Sequence, residues 1–146
     1  QLHVVHNFTG LPDPKRNAIL YASYDGIFAS DFRGDGFETG RLHEGNQANP
    51  KGNRGASEIK ATRTIGGKVV IATVEPWHGN QIVVYTVGKR DADKGFPFER
   101  HVIDEQLRWG HAVSFADLDG DGADELVIGV RDDPNPTMGD NFKERR

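Results

Sequence analysis

A pattern that recurs three times governs what this chain can fold into. Ala18-Ile19-Leu20-Tyr21-Ala22-Ser23-Tyr24, Lys68-Val69-Val70-Ile71-Ala72-Thr73-Val74 and Glu125-Leu126-Val127-Ile128-Gly129-Val130-Arg131 each run apolar, then small, then alternating. They start 50 and 57 residues apart. Each follows a loop bearing Gly or Pro, and upstream of each loop lies another alternating stretch: Leu2 to Phe8, Ser57 to Arg63 and Ala112 to Ala116. Alternation sends successive side chains to opposite faces of a strand. The unit therefore begins with a strand, a loop and a second, more buried strand. The middle copy continues with strand patterns at Gln81 to Tyr85 and Arg100 to Asp104, the first with Gly26 to Ala29 and Gly40 to His43. No window sustains a 3.6-residue apolar period, so no helix longer than a turn is expected.

Four short strands per ~50 residues is the size of one β-propeller blade. The expected fold class is all-β, a fragment of a β-propeller with four-stranded antiparallel blades; a plain antiparallel sandwich is the alternative. Blade 1 would span about 1–45, blade 2 about 55–105 and an incomplete blade 3 about 110–146, since the polar stretch after Pro134 supplies no further strands. Two and a half blades cannot close a ring of the usual 4–8, so the remaining blades are expected from the same protein or from other copies. Composition narrows the partners. No apolar run approaches the ~18–20 residues of a membrane span, and no signal peptide is read at the first residues. The absence of Cys removes a disulfide scaffold, a Cys-zinc module and a thiol nucleophile. The net charge of −4 argues against nucleic acid as a partner.

Asp117-Leu118-Asp119-Gly120-Asp121-Gly122-Ala123-Asp124-Glu125 carries five acids in nine residues. Such a run repels itself unless a cation balances it. Hard cations take several oxygen ligands from one short loop. Asp117, Asp119 and Asp121 stand at alternate positions, Gly122 permits a sharp turn, the Ala123 carbonyl is available, and Glu125 closes the shell. Ca²⁺ is the expected ion and Mg²⁺ the alternative. An EF-hand would need Glu at the twelfth position, which here is Ile128, and flanking helices where strands are read. The equivalent loops have lost the pattern: Asn7 to Asn17 keeps only Asp13 as an acid, and Thr62 to Gly67 has none. The ion reads as a brace for one blade, and such loops suit an extracellular or periplasmic setting.

Gly110-His111-Ala112-Val113-Ser114-Phe115-Ala116, with Asp117 to Glu125 and Leu126-Val127-Ile128-Gly129, resembles the FG-GAP/VCBS-type repeat. That resemblance covers about twenty residues and implies a calcium-braced propeller, often seven-bladed, as in integrin-like adhesion proteins and secreted carbohydrate-active proteins. Glu75-Pro76-Trp77-His78-Gly79 and Leu107-Arg108-Trp109-Gly110-His111 look like segments of the propeller of aldos-2-ulose dehydratase and its relatives. This narrower resemblance implies a carbon–oxygen lyase that dehydrates sugar ketones such as glucosone and 1,5-anhydrofructose at a zinc site. Its cupin domains and most of its blades are not in this sequence, so the active site would be incomplete.

Propeller connectivity sorts the loops. Those joining second to third strands, and those joining blades, open on one face; the acidic loop lies on the other. The first face should receive Glu75, Trp77, His78, Arg108, Trp109 and His111, with Tyr24, Asp25, His43 and Arg131, while Ser57 and Glu58 begin an innermost strand near the channel. Indoles can stack on a pyranose, and Arg and carboxylates can bind its hydroxyls. This points to a sugar or glycan ligand, with Trp77, Trp109, Arg108 and Glu75 as binding residues. His78 and His111 could hold zinc with Glu58 or Glu75 as an oxygen ligand, and Glu58 or a histidine could serve as base. Against this, Trp77 and Trp109 also suit packing between blades. His3, His6 and His101 read as ordinary strand histidines, and Lys89 to Lys94 as a solvated loop. The same face would equally serve a non-catalytic module binding glycans or a protein.

Overall fold

The structure, a computed structural model, describes residues 2–88 and 98–131. The described chain is all-β: β1 (Val5–Gly10), β2 (Ala18–Ser23), β3 (Gly26–Arg33), β4 (Gly36–His43), β5 (Ile59–Arg63), β6 (Val69–Glu75), β7 (Gln81–Val87), β8 (Phe98–Asp104), β9 (Gly110–Ala116) and β10 (Glu125–Val130). They form two four-stranded antiparallel sheets, β1-β2-β3-β4 and β5-β6-β7-β8, and a two-stranded sheet of β9 and β10. The readings at Lys89 to Lys94 and from Asp132 onward lie outside the described residues.

The sheets stack through their first strands, with β1 against β5 and β5 against β9. This explains why β6 reads as an unbroken apolar run. Ile71 and Thr73 face the first sheet, where Leu20, Ala22, Ile27, Ala29, Ile59, Val83 and Tyr85 form one core. Ala72 and Val74 face the other way and pack with Ile82 and Val113 in a second core. A strand covered on both sides gains nothing from alternating polarity. Burying each Leu or Ile contributes about 1.5–3 kcal/mol.

The link from β4 to β5 is pinned by backbone bonds. Asn46 and Gly55 exchange hydrogen bonds of 2.7 and 3.3 Å, and Ala56 N–H donates to Ser23 C=O at 2.9 Å. Gly55 has φ of 68°, and a Cβ there would lie 2.1 Å from Ser23 O. Only glycine fits that approach.

Candidate functional site

All three first strands begin at the same end of the stack, and each begins with an irregularity. Val5 stands opposite Ser23 and Asn7 opposite Ala22, which leaves His6 as an extra residue. Gly110 stands opposite Val130 and Ala112 opposite Gly129, which leaves His111. Before β5, Ser57 N–H donates to Val74 C=O at 3.0 Å while Ile59 stands opposite Thr73, so Glu58 is passed over in the same way. A bulge bends its strand and re-aims the extra side chain.

The re-aimed groups meet the turn between β6 and β7. Ring centroids lie 4.6 Å apart for His6 and His78, 4.9 Å for His78 and His111, and 6.4 Å for His6 and His111. Trp77 sets its edge against His6 at 4.5 Å and His78 at 5.1 Å. Tyr24 meets Trp77 at 5.0 Å, and the Arg54 guanidinium lies over Tyr24 at 5.1 Å. Glu58, its side chain 6% exposed, sits behind His6 with Oε1 3.1 Å from Nδ1. Asn7 Nδ2 donates to the other oxygen. A carboxylate so far from water needs such partners.

The structure thus brings His78, His111, Trp77 and Glu58 together, and with them His6, which the sequence reading had set aside as an ordinary strand histidine. The signal was available. His6 is the second residue of β1, as His111 is of β9, so the register argument for one histidine applies to the other. Glu58 is placed to orient His6 rather than to reach a ligand. Trp109, just before β9, is half-buried with φ of 56°, and its carbonyl accepts from Arg131 N–H at 2.8 Å. Arg108 beside it is exposed. His78 has φ of 46°. With Val4, at φ of 50° just before β1, three non-glycine residues in this costly region lie at or beside the site, and such strain collects where function is built. His3 pairs instead with Asp25, at 3.1 Å, and His101 with Thr86, at 2.9 Å.

Glu75 requires a correction. It does not line the rim: it is fully buried. Its Oε1 accepts from Tyr85 OH at 2.5 Å and Thr73 Oγ1 at 2.9 Å. Its Oε2 accepts from Arg100 Nε at 2.9 Å, with Nη2 at 2.8 Å. Burial, then the Glu75 charge and hydrogen bond, hold the Tyr85 hydroxyl far above the usual phenol range. Burial alone would lower the Arg100 value, but Glu75 more than offsets it. Burial also pushes the nearby His43 imidazole below its ordinary value, against the opposing charge of Glu75.

At the opposite end, the acidic loop folds on itself. Gly120 and Gly122 N–H donate to the two Asp117 oxygens at 2.7 and 3.0 Å, and Leu118 N–H donates to Glu125 at 2.7 Å. Asp117, Asp119 and Glu125 bring one oxygen each within 4.8 Å of one another, the only such trio of potential metal ligands among the described residues. Asp121 is not in that group; it takes the Ala123 N–H at 2.7 Å. Asp124 turns away to accept from Thr62 on β5.

The rim donors are also chemically suited to a metal. Three imidazoles are the donor type of a catalytic zinc set, but no three ligand atoms among His6, Glu58, His78 and His111 lie within 4.8 Å of one another, so the rings would have to turn to share an ion. Neither protein-family models nor curated proteins match this chain.

Proposed function

We propose that the chain is a segment of a calcium-braced β-propeller from a carbohydrate-active protein. In this reading its rim takes a sugar ketone of the glucosone or 1,5-anhydrofructose kind for zinc-assisted dehydration. The observation that carries the reading is the convergence of His6, His78 and His111 on one rim, with Trp77 beside them and Glu58 behind. The propeller part draws on the stacking of first strands and on the first sheet's outer face. There Tyr21 and Phe28 stack at 5.7 Å beside Phe8, which is 66% exposed, an apolar surface suited to a further blade.

His6, His78 and His111 would share a zinc ion only after their rings turn inward, and an ion held there would supply Lewis-acid polarisation of the ketone oxygen. The rest is the work of the chain. Glu58, 3.1 Å from His6 Nδ1, is placed to hold the direction of that ring, as carboxylates behind metal-binding histidines do. Trp77 and Tyr24 offer apolar ring surface to a pyranose, and Arg108 a donor to its hydroxyls. In the net reaction the carbon next to the carbonyl loses a proton, the following carbon loses its hydroxyl, and water leaves without redox change. The alternative is a non-catalytic module binding glycans or a protein through this rim. It draws on the acidic loop holding the only close trio of ligand atoms among the described residues.

The test is a sugar-ketone assay on the intact protein with zinc, followed by NMR of the substrate. The expected result is dehydration that is lost in His111→Ala while the far-UV spectrum is unchanged. Sugar binding without turnover in the unsubstituted protein would select the non-catalytic reading.

A further inference from the structure

We propose that Glu75 is a positioning residue: with Arg100, Tyr85 and Thr73 it fixes the base of the turn carrying Trp77 and His78, and so sets His78 against His6 and His111. The inference rests on the rim reading for the importance of those rings. The turn begins where β6 ends at Glu75 and finishes where β7 begins at Gln81. One buried cluster grips both ends. Arg100 Nε donates to Glu75 Oε2 at 2.9 Å, and its Nη2, 2.8 Å from the same oxygen, donates to Gln81 Oε1 at 2.9 Å. Asn46 Nδ2 donates to the same Gln81 oxygen at 2.9 Å, tying in the link between the first two sheets. The crown of the turn is held as well. Gly110 N–H donates to Gly79 C=O at 3.1 Å, and Leu107 N–H to Asn80 C=O at 3.0 Å. Those bonds run to the segment that opens β9 and delivers His111.

Stability alone does not call for a carboxylate here. Taking a charge out of water is costly, and an apolar residue of similar volume often serves a core equally well. A planar guanidinium that donates to Glu75 through Nε and to Gln81 through Nη2 adds direction, because its fixed donors are satisfied together in one relative orientation. At the root of a turn whose His78 sits in a strained conformation, direction is what the rim requires.

The test is Glu75→Gln in the full chain, read by the ring resonances of His6 and His78 in ¹H–¹³C spectra without metal. Both rings lie against Trp77, so a displaced turn changes their ring-current shifts. The expected result is movement of both sets of resonances, with the Leu20 and Val113 methyls in place. Co²⁺ affinity should fall, because a displaced turn carries His78 away from His6 and His111. Unmoved imidazole resonances in a folded Glu75→Gln would overturn the proposal. Should that variant fail to fold, Tyr85→Phe removes one hydroxyl and leaves the Glu75–Arg100 pair. Shifts confined to core methyls would then overturn it, and movement of the His78 ring would support it. An unsubstituted chain that binds no Co²⁺ would remove the metal reading, and the imidazole shifts would still decide the role of Glu75.

Discussion

His6 and Glu75 show how much a single side-chain direction decides. Both were visible as residues; what the sequence obscured was where they point. Glu75 follows Ile71 and Thr73 at alternate positions, so it shares the face turned toward the first sheet, where Tyr85 and Arg100 also lie. Reading it as a loop residue followed its position and overlooked its parity. His6 was hidden by a bulge, because an extra residue reverses parity locally and no composition signal marks it. The same scale holds a test of surface electrostatics. Arg16 donates to Asp31 through Nε at 3.0 Å and Nη2 at 2.6 Å. That hydrogen bond, opposed by burial, holds the Asp31 carboxyl below its ordinary value. A depressed carboxylate contributes stability above its unfolded value of about 3.9, and that contribution is lost as pH falls through the lower folded value. Asp31→Asn should therefore be less stable than the unsubstituted protein at pH 7 and about equal to it at pH 2. Urea midpoints at the two values would measure this, and a constant difference would count against the pair.

At the scale of elements, the second strand of the middle unit was the clearest signal, because β6 contributes to a core on each of its faces. Its neighbour β4 was less legible. It runs from Gly36 to His43, longer than the Gly40 to His43 pattern suggested, and most of it is exposed. A strand solvated on both sides has no core face to impose alternation, and Gly36 to Thr39 show none. The acidic loop was legible in composition but only partly in geometry. Asp117, Asp119 and Glu125 converge, whereas Asp121 serves the Ala123 N–H. Calcium should raise the thermal midpoint of the protein, by about 2.7 kcal/mol of stability at one hundred times its dissociation constant. Asp119→Ala should abolish the calcium-dependent rise, as measured by calorimetry with and without the ion. A midpoint that ignores calcium in the unsubstituted protein would remove the brace.

Across the whole molecule, one arrangement organises the rest. Three sheets stack through their first strands, so every first strand starts at one end and every loop to a second strand falls at the other. That places His6, Glu58 and His111 at the rim and the acidic loop far from it, on elements whose cores are independently buried. The rim is thus supported by packing it does not itself provide, and its side chains can be replaced without dismantling a sheet. Titration with Co²⁺ followed by histidine ring resonances tests this account most directly, because a paramagnetic ion perturbs the rings that ligate it most strongly and the effect falls steeply with distance. The account predicts that His6, His78 and His111 broaden together at one equivalent of ion, while His3, His43 and His101 stay sharp. Broadening that leaves His6 sharp, or that leaves all six rings sharp, would contradict it.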